Sequence, residues 1–239
     1  MINNPVWNSL AEEYDNKYQA ITDWRLGYSV VENLLGKLAG KRILDYGCGS
    51  GKFSRRLRDF GALVTAVDIS ANAIDRAKQK DSMNIDYAVI ENDDLSFLGT
   101  GSFDYAFASF VFCTMQYESQ IFNISQQIYD KLKPEACFIV LEPHPESLGY
   151  EFISMKRIGP KNVRSGDPIQ VQLAGMNTVF FDYWRSKVDY IKILDYAGFN
   201  NDIMIKEPII EGYPDETFWK DERTNPPLLV MRAKKSCLL

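Results

Sequence analysis

The sequence predicts a doubly wound α/β fold: a mostly parallel sheet of about seven strands, with a helical cap before it and a lid inserted before its last strands. Three observations carry that prediction. Short apolar runs alternate with longer amphipathic stretches over residues 41–141, the rhythm of strands and crossover helices in a sheet covered on both faces. A turn with glycine at alternate positions, Gly47, Gly49 and Gly51, joins the first apolar run to the first of those amphipathic stretches. The rhythm breaks after Leu141 and returns at Ser186. At 239 residues, 46% apolar and 25% charged, the chain suits one elaborated globular domain.

Each element follows from its local pattern. Residues 7–18 and 23–38 read as two helices ahead of the sheet. Residues 42–45 form the first strand, an apolar run ending in the glycine turn. Residues 52–60 are helical because Phe53, Leu57 and Phe60 fall at i, i+4 and i+7 on one face. Residues 62–67 are the second strand, residues 71 to about 80 a helix, and residues 85–90 the third strand. The turn Gly99-Thr100-Gly101-Ser102 opens a fourth strand over 103–110. Residues 119–132 are helical, and Pro134 helps to end that helix. Residues 137–141 are the fifth strand. From 142 to 180, Pro143, Pro145, Pro160 and Pro168 and several glycines interrupt any period, so an insertion over the sheet edge is expected, part helix and part loop. In the next helix Val188, Ile191 and Leu194 share a face, and Gly198 suits the position after its end. Residues 199–206 and 228–233 are the last strands, a pair expected to introduce one antiparallel strand. The chain thus divides into a cap over 1–40, a core over 41–141, a lid over 142–185, and a last helix with its strands over 186–239.

Composition excludes several functions. A net charge of −5 offers no basic excess to grip a phosphate backbone, so no nucleic-acid partner is expected. Four cysteines without a C-x-x-C pair and one histidine, His144, make a zinc site unexpected, and no metal is assigned. The first ten residues lack a basic region and an apolar core, and no apolar run approaches about 18 residues, so neither secretion nor a membrane span is expected. Cys237 is one position short of a prenylation box, and the Asn123-Ile124-Ser125 sequon would not meet the glycosylation machinery in a cytoplasmic chain. The expected address is the cytoplasm. Aromatic residues reach 13%, fitting either a large core or a flat-walled pocket.

Three landmarks carry chemistry. The stretch Asp45-Tyr46-Gly47-Cys48-Gly49-Ser50-Gly51 places alternate glycines between a strand and a helix, where a ligand can lie against bare backbone. Its G-x-G-x-G spacing differs from the G-x-G-x-x-G of dinucleotide folds, and no Ser or Thr follows Lys52 as in a P-loop. Asp68 ends the second strand, where an acid can bind both hydroxyls of a ribose. Glu91-Asn92-Asp93-Asp94-Leu95-Ser96-Phe97 follows the third strand, where an acid and a backbone N–H can read an adenine edge. Taken alone, alternate glycines could be a tight turn and the acidic run a solvated one.

In order and spacing, and with the Ser102–Phe110 segment that follows, these landmarks resemble the class I S-adenosylmethionine-dependent methyltransferases, while residues 186–199, Glu207-Pro208 and the terminal strand are similar to the family's small-molecule branch, including quinone-biosynthesis-like enzymes. The resemblance implies a Rossmann-like sheet and S-adenosylmethionine as cofactor, with S-adenosylhomocysteine as product. It assigns Asp45, Gly47, Gly49 and Gly51 to the first motif, Asp68 to the ribose and Ile69 to packing on the adenine, with the cofactor lying across Gly47, Asp68, Glu91–Asn92 and Phe110. The family's adenine motif usually reads D-A-E-D-L-P-F. Here Glu91 replaces the first Asp and Ser96 the Pro, so Glu91 and Asn92 are assigned to the adenine with Asp93 as an alternative. The family often covers the methionine half of the cofactor with an N-terminal tyrosine pair, a role Tyr14 and Tyr18 could fill at i, i+4 on one helix face; an aromatic staple onto the core is the other reading. Arg25 could pair with the cofactor carboxylate or lie on an exposed helix face.

Beyond the fifth strand, His144 stands where reacting groups gather in such sheets and is the candidate base, against the alternative of a loop histidine between two prolines. Tyr183 and Trp184 are candidates for stacking on the acceptor, or for core packing. The tetrapeptide Asn225-Pro226-Pro227-Leu228 imitates a base-methylation motif but sits before the last strand, where it reads as a strand-entry turn. The expected function is transfer of a methyl group from S-adenosylmethionine to an oxygen or nitrogen of a small, partly apolar or aromatic metabolite. A peptide or protein acceptor, or a non-catalytic cofactor-binding module, are the alternatives; a homodimer is left open.

Overall fold

The structure, a computed structural model, describes residues 24–81, 84–176, 178–200, 202–210 and 221–237. The helix expected over 7–18 lies outside them. Helix α1, Trp24–Leu35, lies close on the sheet because residue 27 is glycine: a Cβ there would stand 2.6 Å from a Leu141 methyl and 2.9 Å from one of Leu228. Its Val31 and Leu35 are buried. Helices α2 (Lys52–Asp59), α3 (Ala71–Lys80), α4 (Glu118–Lys131) and α5 (Lys187–Leu194) follow the predicted order, within a residue or two at most ends.

In chain order the strands are β1 (Arg42–Tyr46), β2 (Leu63–Asp68), β3 (Ile85–Val89), β4 (Phe103–Ser109), β5 (Leu132–Pro143), β6 (Met155–Ile158), β7 (Pro168–Leu173), β8 (Val179–Tyr183), β9 (Ile203–Lys206) and β10 (Leu228–Lys234). Seven of them form one sheet in the order β3-β2-β1-β4-β5-β10-β9. β1 pairs in parallel with both β2 and β4, while β10 runs antiparallel between β5 and β9. The predicted seven-stranded, mostly parallel sheet with one antiparallel strand is what forms. After β1 the chain winds outward through β2 and β3, then crosses back to β4 on the other side of β1. That reversal opens a crevice beyond the carboxyl ends of β1 and β4.

Alternate residues feed two apolar layers, as strands buried on both faces require. Ile43, Phe107, Ile139, Leu141 and Val230 pack with α1 and α2 on one face; Leu44, Ala106, Ala108, Phe138 and Val140 pack with α4 and α5 on the other.

Two expectations are corrected. The fifth strand begins at Leu132, not residue 137, and Pro134 lies within it, where the β4–β5 register shifts. The insertion after β5 is not part helix and part loop. Beyond one 3-10 turn, Pro145–Ser147, its regular structure is a three-stranded antiparallel sheet in the order β6-β7-β8. In β7, Ile169, Val171 and Leu173 are buried and Pro168, Gln170 and Gln172 exposed, a two-residue alternation that six residues between proline and glycine make hard to see. Val171, Leu173, Met155 and Phe180 pack into the α1–α2 layer. The lid thus grows from the main core.

Candidate active site

At the carboxyl end of β1 the chain turns through Gly47, Gly49 and Gly51, at φ 73°, 53° and 74°. Gly47 and Gly51 are also constrained by space. A Cβ on Gly47 would stand 2.4 Å from Val111, and one on Gly51 would stand 2.3 Å from the Tyr87 hydroxyl. Gly49 differs: nothing lies within 4 Å of its notional Cβ. Its backbone faces open space, the surface a ligand can lie against. Gly47 and Cys48 donate to the Val67 carbonyl at 2.8 and 3.0 Å, and Gly49 donates to Asp68 Oδ2 at 2.8 Å. The turn is therefore bonded to the end of β2.

Acids surround it. Asp45 is buried, accepts from Ser54 Oγ at 2.5 Å, and has its carboxyl pushed up to about 7 by burial, against the Ser54 bond and helped by the charge of Asp68. Asp68 also accepts from the Ser70 N–H at 2.8 Å; burial raises its pKa while these N–H donors oppose the rise. Ile69 is half-buried against the α4–α5 layer. After β3, Asn92 and Asp93 take positive φ, 52° and 58°, in a turn held from below. Tyr46 donates to Asp93 Oδ1 at 2.7 Å, and Gln127 of α4 donates to the Asp93 carbonyl at 3.0 Å and accepts from the Leu95 N–H at 2.9 Å. Glu91 and Asn92 are exposed at its tip. One Asp93 oxygen is thus engaged inside the protein, whereas the Glu91 side chain is exposed.

Across the crevice, β4 ends in Ser109, whose Oγ lies 3.1 Å from the hydroxyl of Tyr28 on α1. The Tyr28 ring stacks against Phe53 at 4.5 Å between centroids, and burial lifts its phenol to about 12. Phe110 follows at φ 55°, donating to the Leu141 carbonyl at 2.8 Å. The next three N–H groups, of Val111, Phe112 and Cys113, all donate to the carboxylate of Glu142, at 3.1, 2.8 and 3.0 Å. Glu142 sits near the end of β5, fully buried, and burial raises its carboxyl to about 7 despite those donors. Sequence reasoning missed Glu142, Tyr28 and Ser109, whose partners are distant in the chain.

His144 is buried, with both ring nitrogens partnered. Nδ1 accepts the Glu146 N–H at 3.1 Å and Nε2 lies 2.8 Å from Glu207 Oε1. Burial holds its pKa below the usual histidine value, against the pull of Glu207. This arrangement joins a strand end to Glu207 and leaves neither nitrogen open to an acceptor. Tyr183 and Trp184 close β8, half-buried, and the Trp184 indole N–H is spent on the Pro145 carbonyl at 2.9 Å. Tyr14 and Tyr18 lie outside the described residues; Arg25 belongs to α1, its side chain outside the description.

The site fits S-adenosylmethionine on its own chemistry. Gly49 leaves room along the backbone. Asp45, Asp68 and the Glu91–Asp93 turn set acceptor carboxyls at the ends of three successive strands, complementary to the ammonium, ribose hydroxyl and adenine amine donors of that cofactor. Among the described residues no cluster of three metal-ligating side chains forms, and no helix is long and apolar enough to cross a membrane.

Comparison with known proteins agrees. Residues 43–135 match a family model described as a methyltransferase domain. The chain is 31% identical over 235 residues, 93% of its length and 95% of the relative's, to N-demethylindolmycin N-methyltransferase of Streptomyces griseus. It is 41% identical over 70 residues, 28% of its length and 29% of the relative's, to a ubiquinone biosynthesis O-methyltransferase of Xanthomonas oryzae. The fold resembles the crystal structure of an S-adenosylmethionine-dependent methyltransferase from Mesorhizobium loti, with a TM-score of 0.61 at 18% identity, covering 88% of this chain and 98% of that one. With the glycine turn, the strand-end acids and a relative alike along nearly its whole length, the chain belongs to the class I S-adenosylmethionine-dependent methyltransferases and is an enzyme with that cofactor.

Proposed function

We propose that the enzyme methylates an oxygen or nitrogen of a small, partly apolar or aromatic metabolite. The observation that carries this reading is the extent of the likeness to N-demethylindolmycin N-methyltransferase. A match over 93% of the chain leaves out too few residues to miss the lid. The lid supports it physically, since β6–β8 bury an apolar face on the core and bring the half-buried Tyr183 and Trp184 to one end of it.

In this reading Gly47 and Gly49 present backbone to the cofactor, with Asp45 facing its amino-acid end. Asp68 binds the ribose, Ile69 packs on the adenine, and Glu91 and Asn92 read the adenine edge beside Asp93. Phe110 forms the floor under the reacting groups. Tyr14, Tyr18 and Arg25 cover the methionine half, and Tyr183 and Trp184 flank the acceptor. S-adenosylmethionine supplies a methyl already activated on its sulfonium, so the protein's work is alignment and exclusion of water. No base is assigned: His144 has both nitrogens engaged and acts by holding the loop after β5.

The test is a panel of small amines and phenols, N-demethylindolmycin among them, incubated with S-adenosylmethionine and read by mass spectrometry for methylated product and S-adenosylhomocysteine. Turnover of small acceptors is expected. Methylation of peptides with every small acceptor untouched overturns the reading.

A further inference from the structure

The turn that follows Phe110 is bonded at both ends by buried polar side chains from different layers. At its amino end Glu142, from the core sheet, accepts the N–H groups of Val111, Phe112 and Cys113. At its carboxyl end Arg185, two residues beyond β8, donates to the Phe112 carbonyl at 3.5 Å and to the Gln116 carbonyl at 2.7 Å. Both side chains are at most 1% exposed. Carboxyl oxygens on the free N–H end of a 3-10 turn and a guanidinium on its carbonyl end each meet the partial charge of the opposite sign.

The lid holds the same turn in two further ways. The Cys113 thiol stands beside the carboxyls of both Glu142 and Asp182 of β8, and its presence lowers each carboxyl's pKa against burial. Residue 166 is glycine where the lid loop crosses the turn: a Cβ there would stand 3.1 Å from the Gln116 carbonyl oxygen. Ser165 next to it donates to Glu118, the first residue of α4, at 2.8 Å. The segment carrying Phe110 is therefore fastened to β5 by Glu142 and to the lid by Arg185.

We propose that Glu142 and Arg185 are positioning residues for methyl transfer, gripping the Val111–Gln116 turn from its two ends so that the cofactor floor at Phe110 and the acceptor-side lid keep one geometry. The proposal rests on the placement of Phe110 against the cofactor. Arg157 is the control. It is equally buried, at 2% exposure, but its hydrogen bonds go to the His144 carbonyl and Ser147, and it reaches Cys113 and Asp182 only as a nearby charge, which lysine keeps.

Full-length E142Q, R185K and R157K are prepared, and melting, calorimetric titration with S-adenosylhomocysteine, and amide exchange over residues 110–116 are measured. Folded E142Q exchanges the Val111, Phe112 and Cys113 amides at least tenfold faster and binds S-adenosylhomocysteine about tenfold more weakly. R185K weakens binding in the same direction, and R157K stays within twofold of wild type even where its melting temperature falls. R185K keeps the proposal testable where E142Q does not fold. Wild-type affinity in folded E142Q and R185K overturns the proposal, as does equal weakening in R157K, which would make the effect one of general stability. Wild-type affinity in F110A with weakened E142Q instead overturns the placement of Phe110, and the proposal with it.

Discussion

At Gly49 a single residue separates room for a ligand from room for the fold. Its φ of 53° strains any L side chain, yet a Cβ there meets no atom, whereas one on Gly47 meets Val111 at 2.4 Å. G49A should therefore lose only about 1–2 kcal/mol and melt a few degrees lower. Its titration should show S-adenosylhomocysteine binding weakened at least tenfold. G47A should lose more stability than G49A, because the clash adds to the same backbone cost. Equal melting and equal affinity in the two variants would contradict this division. The strand-end positions of the three glycines and of Asp45, Asp68 and Glu91 were legible in the sequence because each follows from the local pattern beside it. Glu142 was not: its partners are some 30 residues away, and its burial follows only from the packing of β4 against β5.

Among elements, α5 shows a local device independent of the site. Ser186 accepts the Asp189 N–H at 3.2 Å, and Asp189 accepts the Ser186 N–H at 3.0 Å, a reciprocal cap that starts the helix. The helix then buries Tyr190, Ile193 and Leu194. S186A should cost about 1 kcal/mol, a fall of about 2–4 °C in melting temperature for a domain of this size. Calorimetry should find S-adenosylhomocysteine affinity unchanged. Affinity lost in step with stability would show that α5 reaches the site. The start of α5 near Ser186 was readable because cap and partner are three residues apart. The lid sheet was not, since β6, β7 and β8 are short and each becomes a strand only when its neighbours bury the alternate face.

The whole molecule carries an acid-dependent term. Burial raises Asp45 and Glu142 to about 7 and Asp182 to about 6. A carboxyl whose folded pKa is raised holds its proton more tightly in the folded state. Its contribution to stability is complete below the unfolded value of about 4 and is lost as pH rises through the folded value. The protein without cofactor should therefore lose stability between about pH 5 and 8 through these groups. D45N, which cannot titrate there and can still accept from Ser54, should gain on wild type by on the order of 2 kcal/mol across that range. Denaturant unfolding at pH 5, 6.5 and 8 measures it, and a constant difference between the two proteins would contradict the argument.

What the sequence by itself determined was the strand–helix order, the cofactor family and the strand-end residues, because these depend on short-range periodicity, on glycine's backbone freedom and on acids placed at strand ends. Tertiary structure alone decided that the insertion is a sheet, that His144 has both ring nitrogens engaged, and that Glu142 and Arg185 grip one turn from two layers. Those outcomes depend on which distant groups share a buried volume, and a buried charge or donor must find its partner wherever the packing supplies one.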